Sequence, residues 1–266
     1  MSSSTSRNLY LSNEPPSSQS ESPLACRTVL GIETSGLSGS VALDRDGQCL
    51  ECRSLDQPGR RHAQSLVLEI RDMLAAHQLT PSQVDAIAVS RGPGSFTGLR
   101  VGLVCAKTFA FATGCRFVAV DTFITVAMNC PPEIHDLWVV DDAQRGDLIT
   151  GRYTRTGDTW RLTAPVAIVE AENWLSKRTS DEVITGRGLL RYDVESFPGQ
   201  YLTSSSIVVP IASSVAHLGI HMLQNQDASS CRDDFDYWKS IPFYMRPSAA
   251  EETHDRNAAI IASQFR

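Results

Sequence analysis

The sequence predicts an α/β protein of two lobes, each a mixed sheet with crossover helices. Three observations carry that expectation. Residues 28–55 read as three short strands joined by hairpin turns, and 3.6-residue apolar periodicity takes over from His62. A strand–helix–strand passage follows at residues 85–121, so the order becomes βββαβαβ, the pattern of a mixed sheet. The chain then continues past Pro131-Pro132 to 266 residues, long for one core and comfortable for two.

Each element has its own signal. Residues 28–34 (TVLGIET) form a first strand, Ser35-Gly36-Leu37-Ser38-Gly39 a turn and residues 40–43 a second strand. Asp46-Gly47 is a hairpin turn before a third strand at 48–55. Ala63, Leu66, Val67, Ile70, Met73 and Leu74 follow helical spacing, with Glu69, Arg71 and Asp72 opposite. Thr80-Pro81 reads as an N-cap followed by proline in a short helical turn. A buried strand at 85–90 leads through a glycine loop into an apolar helix over 99–113, stopped by Gly114. Residues 115–121 form another strand, with Thr122 as cap of the next helix. Beyond 131 the pattern weakens. Strands are expected at 137–142 and 148–154, weaker ones at 166–169 and 183–185, and a helix at 211–223.

Composition narrows the function. Hydrophobic residues are 42% and charged residues 20%, an ordinary globular balance. The net charge of −6 argues against this chain alone being a strong nucleic-acid binder, since phosphate neutralisation needs a basic face, and leaves open a role in an assembly whose other members hold the RNA. The cysteines are odd in number, seven, and lack framework spacing, which suits reduced thiols in the cytoplasm. Residues 1–27 are rich in Ser, with Pro15, Pro16 and Pro23, and are expected to be a disordered tail rather than a secretory signal. No apolar run approaches the roughly 20 residues of a membrane span.

The glycine loop, Arg91-Gly92-Pro93-Gly94-Ser95-Phe96-Thr97-Gly98, has the strand–loop–helix layout that offers backbone N–H groups to an anion. Its spacing fits neither phosphate motif. The third glycine comes one residue late for G-x-G-x-x-G, and Leu99-Arg100 stands where a P-loop has Lys-Ser/Thr. The loop therefore reads as a structural turn first and a phosphate cradle second. Gly98, Gly102, Ala106, Ala110 and Gly114 recur at steps of four on the following helix. That stripe serves either a helix packed on its own sheet or one that also meets a partner.

Other chemistry-bearing groups are incomplete. Phe96 occupies the nucleophile position of a G-x-S-x-G frame. His217 and His221 sit at i and i+4, but Leu218 replaces the zincin Glu. Cys49 and Cys52 form one C-x-x-C in a strand, where residues three apart are expected on opposite faces, and no second pair completes a zinc site. Asp141, Asp142 and Asp147 flank a turn, either solvated or around a cation. Arg60-Arg61-His62 suggests a basic surface spot.

Leu30-Gly31-Ile32-Glu33-Thr34-Ser35, the loop Arg91 to Gly102 and Val118-Ala119-Val120-Asp121-Thr122 together resemble the TsaB family. Weaker matches are Asp141-Asp142-Ala143-Gln144-Arg145-Gly146-Asp147 and the tail from Phe243 to Glu252. TsaB proteins are small partner subunits in bacterial synthesis of the threonylcarbamoyl-adenosine of tRNA. The resemblance implies an actin-like ATPase fold of the sugar-kinase and Hsp70 superfamily, with two related lobes. They are a first at 28–130 and a second at 131–252, followed by an extension at 253–266. It also implies a catalytic relative, TsaD, whose His-x-Glu-x-His metal motif falls here on Thr122, Ile124 and Val126. Isoleucine and valine cannot hold a metal, so no catalytic residue and no metal ligand is expected. The implied role is a non-catalytic subunit that pairs with a TsaD-like protein, works beside a TsaE-like ATPase and forms a homodimer when alone. Its contact is expected on the first-lobe helices, at His62, Leu66, Ile70, Leu99, Gly102, Leu103 and Ala106. No tightly bound cofactor is expected. Thr34, Ser35 and Gly36 are the nucleotide-facing candidates, with ATP or ADP also allowed at the complex interface. The alternative is an actin-fold ATPase or phosphotransferase, or a metal-dependent transferase or peptidase, acting alone.

Overall fold

The computed structural model describes residues 27–56, 62–225 and 232–246, with the side chains of residues 62–64 and 232 outside that set. The N-terminal tail, Arg60-Arg61, the side chain of His62 and everything after Arg246 therefore lie outside the described residues. Strands β1 (Thr28–Glu33), β2 (Ser40–Arg45), β3 (Gln48–Ser54), β4 (Ala86–Gly92) and β5 (Arg116–Asp121) form one sheet in the order β3-β2-β1-β4-β5. Strands β6 (Asp136–Gln144), β7 (Asp147–Thr156), β8 (Thr159–Glu170), β9 (Val183–Thr185) and β10 (Gln200–Leu202) form the other, ordered β8-β7-β6-β9-β10. In each sheet the first three strands are antiparallel neighbours and the last two run parallel to the first. The two lobes thus repeat one topology, as expected of an actin-like ATPase fold.

Helices α1 (His62–Ala76) and α2 (Phe96–Thr113) cover one face of the first sheet. Leu66, Ile70 and Met73 from α1 and Leu103, Ala106 and Ala110 from α2 close over Leu30, Ile32, Leu43 and Ile87. The other face is covered from far along the chain. Helix α6 (Ala212–Gln224), which follows α4 (Ala171–Leu175), β10 and α5 (Ser205–Val208), lies across β1, β2, β4 and β5. Its Val215, Ala216, Leu218 and Ile220 pack on Val29, Ala88, Val118 and Val120. Helix α3 (Thr122–Ala127) crosses the other way and puts Phe123, Val126 and Ala127 into the core of the second sheet. Each lobe is therefore completed by the helix that follows the last strand of the other.

Residues 232–246 also return to the first lobe. Asp234 pairs with Arg91 at 2.8 Å, Tyr237 meets the edge of Phe117, and the Phe243 N–H donates to the Arg91 carbonyl at 2.7 Å. Tyr244 stacks on Phe96 with ring centroids 4.5 Å apart, and Arg246 then pairs with Asp147 of the second lobe.

Local chemistry explains where the elements depart from expectation. Helix α2 starts at Phe96 rather than Leu99, because the Ser95 hydroxyl caps it by accepting from the Gly98 N–H at 3.3 Å. The cap of α3 is Asp121, not Thr122. Its carboxylate accepts from the N–H groups of Phe123 and Ile124 at 2.7 and 3.3 Å. The Thr122 hydroxyl instead accepts from the Gly92 N–H at 3.2 Å. Strand β8 is one long element, of which the apolar pattern marks the second half alone, and α4 and β10 carry too few residues to show a period.

Candidate functional site: a filled cleft and an exposed apolar face

The ends of β1 and β6 meet where the lobes touch. Glu33, at the end of β1, is fully buried, and its carboxylate accepts from the Ser35 N–H and the Ser90 hydroxyl. Asp141, near the end of β6, pairs with Arg187 at 2.5 Å. Arg187 opens the short helical turn after β9, and its Nη2 also donates across the lobe boundary to the Ser35 carbonyl at 3.3 Å. The other two turn carboxylates are matched as well, Asp142 with Arg191 at 3.0 Å and Asp147 with Arg246. Guanidinium groups answer all three aspartates, so they are neither merely solvated nor gathered around a cation.

The glycine loop lies directly on the end of β1. A Cβ on Gly98 would fall 1.9 Å from the Thr34 carbonyl oxygen, and one on Gly94 2.6 Å from that of Ser35. The Ser95 N–H donates to the Ser35 carbonyl at 2.7 Å, and the Thr34 hydroxyl donates to the Gly98 carbonyl at 2.8 Å. Gly92, with φ of +123°, and Pro93, joined to it by a cis peptide, are buried, whereas Thr97 is exposed. The motif is thus a strand-to-helix turn whose backbone is engaged by its own lobe. The nucleotide-facing candidates Thr34, Ser35 and Gly36 lie beneath these contacts. Thr34 and Ser35 have no exposed surface, and Gly36 lies under the Arg187 guanidinium.

The expected contact residues also face inward in the single chain. Leu66, Ile70, Leu99, Gly102, Leu103 and Ala106 are all buried inside their own lobe. Gly102 sits against Thr34, Val89 and Ile32, so the small-residue stripe lets α2 approach its own sheet. The outward side of the same helices is apolar too. Val104 and Phe111 on α2 are 63% and 67% exposed, and Trp238 and Ile241 from the returning segment 73% and 70%. Phe111 and Trp238 meet edge to face at 6.0 Å. An open groove of about 340 Å³ runs between Val104 and Ile241, with Arg100 and Lys107 on its wall. Val67 and Leu68 are exposed on α1. Periodicity marks α2 as apolar nearly all round but gives no sign of which side the sheet takes.

The positions aligned with the relative's metal ligands face the interior. Thr122 and Val126 are buried, and Ile124 packs between the two lobe cores. Cys49 and Cys52 differ from expectation. Cys49 pairs with Asp44 and Cys52 with Ala42, two residues apart on β2, so a bulge at Leu50 brings both to one face. His217 and His221 line an open pocket of about 360 Å³ with Arg27, Asp46 and Asp158. Among the described residues no three His, Cys, Asp or Glu side chains gather as a metal site, and no helix is long and apolar enough to cross a membrane.

Burial ranks the thiols. It pushes Cys105 up to about 11 and Cys130 to about 12, and it raises Cys49 and Cys52 as well, although both are exposed. The thiolate is the reactive form, so at pH 8 about one Cys130 thiol in 10⁴ is ionised. Iodoacetamide labelling of the native protein, mapped by mass spectrometry, is expected to modify Cys49 before Cys105 and to leave Cys130 unmodified until the chain unfolds. Early modification of Cys130 would contradict its burial.

A family model described as "TsaD: tRNA N6-adenosine threonylcarbamoyltransferase" matches residues 56–228. The chain is 28% identical over 234 residues to the tRNA threonylcarbamoyladenosine biosynthesis protein TsaB of Haemophilus influenzae, covering 81% of this chain and 97% of that protein. It is 25% identical over 201 residues to the protein of the same name from Escherichia coli, covering 73% and 86%. Among solved structures, YeaZ from Pseudomonas aeruginosa is similar at 25% identity and a TM-score of 0.68, covering 82% of this chain and 99% of that one.

Proposed function

We propose, for a chain that belongs to the TsaB branch of the TsaD family, a role in tRNA threonylcarbamoyladenosine biosynthesis as the non-catalytic partner of a TsaD-like transferase. One observation carries the partner role: the apolar strip of Val104, Phe111, Trp238 and Ile241, exposed on the first lobe without a covering element of its own among the described residues. Large apolar side chains exposed together in this way favour a protein interface. Thr122, Ile124 and Val126 support the non-catalytic part, since two of the three carry no ligand atom in their side chains.

In this reading the strip meets the corresponding face of the TsaD-like protein, over about 800 Å² per partner if the interface is of standard size. In the absence of that partner the same strip meets a second copy of this chain. ATP or ADP belongs to the complex interface, where a TsaE-like ATPase joins, and tRNA is held by the assembly in the cytoplasm. The reading of a self-sufficient ATPase has Arg187 against it, because that side chain links Ser35 and Asp141 across the lobe boundary.

Co-expression with the TsaD-like protein of the same genome, followed by a sizing column, tests this directly. Co-elution is expected, with tRNA modification only when both chains are present. Separate elution, with modification indifferent to this chain, would overturn it.

A further inference from the structure

An actin-like fold implies a metal-bound nucleotide between its lobes, and the residues here do not fit one. A phosphate group needs N–H donors aimed at it. At the β1 turn the Ser35 N–H is already given to Glu33, and carbonyl oxygens of Thr34 and Ser35 face the neighbouring backbone. The Arg187 guanidinium lies over the same turn. It lies so close to Gly36 that a Cβ there would fall 1.9 Å from Nη1.

Two buried carboxylates, Glu33 and Asp141, stand at the ends of the two central strands, and Arg187 is the cation in contact with Asp141. We infer that Arg187 is an internal counter-ion that takes the place of the cation of a metal-bound polyphosphate and thereby determines that the cleft refuses such a ligand. The contact is intramolecular and crosses the lobe boundary, so it also holds the lobes together at this point. Its removal leaves Asp141 buried without its charge partner, a situation relieved by an external cation or by opening of the cleft to water. The inference concerns the isolated chain and stands independently of the partner reading.

The test uses the full chain, with Mg²⁺ alone and Mg·ADP as probes in titration calorimetry. Wild type is expected to show no saturable binding of Mg²⁺ or Mg·ADP below about 1 mM, and Arg187→Gln to bind these Mg²⁺-containing probes at least about tenfold more tightly, because the ion relieves Asp141. Gly36→Ala keeps the arginine but displaces its guanidinium, and is expected to shift binding in the same direction by a smaller factor. Wild-type binding as tight as that of a folded Arg187→Gln would overturn the inference, and so would a folded Arg187→Gln that binds no better than wild type. If Arg187→Gln does not fold, Gly36→Ala decides alone. A gain in Mg-dependent binding supports the inference, and unchanged binding overturns it.

Discussion

Gly98→Ala is expected to lower the melting temperature by about 6–12 °C. The added methyl would sit 1.9 Å from the Thr34 carbonyl oxygen, a backbone atom that cannot swing aside. Relief requires α2 to lift off the end of β1, at a cost of about 3 kcal/mol, the upper range for overpacked sites. For a chain of this size each kcal/mol moves the midpoint by roughly 2–4 °C. Thr97→Ala, one residue away and exposed, is the control, expected within about 0.5 kcal/mol of wild type. Equal midpoints for the two variants in a calorimetric scan would show that the glycine loop does not clamp β1.

Phe111→Glu and Val104→Glu are expected to weaken association with a TsaD-like protein by at least about 30-fold while leaving the melting temperature unchanged. Aromatic and apolar anchors at an interface centre contribute about 2 kcal/mol or more each, which is that factor. Both side chains are mostly exposed in the single chain, so a charge there strains no core. Leu103→Ala is expected to do the reverse. It empties a fully packed site, destabilising by about 2–5 kcal/mol, and leaves the outward strip intact. Sizing chromatography and a thermal melt on the same three variants separate the two faces of α2. Association unaffected by either glutamate would place the contact elsewhere.

Leu103 and Val104 also show how far the sequence could be read. Both are apolar, adjacent, and on a helix hydrophobic nearly all round, yet one is 2% exposed and the other 63%. Periodicity locates such a helix, but which side faces inward depends on the sheet it lands on. Elements of the first lobe were legible because hairpin turns, a proline and Gly114 punctuate them. Strand β10, with three residues, and the polar first half of β8 carry no such marks. The burial of the turn at Thr34 and Ser35 is hidden from the sequence for a different reason. Arg187 lies 152 residues from Ser35, so nothing local announces that its guanidinium will cover the turn. The cysteine pair was misjudged by one residue of register. An extended strand sets Cys49 and Cys52 on opposite sides, and the bulge at Leu50 reverses one of them.

The exchange of α3 and α6 between the lobes bears on synthesis. A ribosome releases the first sheet early, yet Val29, Ala88, Val118 and Val120 wait for α6, whose residues begin only at Ala212. The Phe117 side waits longer still, for Tyr237. The nascent first half therefore carries uncovered apolar surface through most of translation, and a chain stopped before residue 212 lacks the helix that covers it.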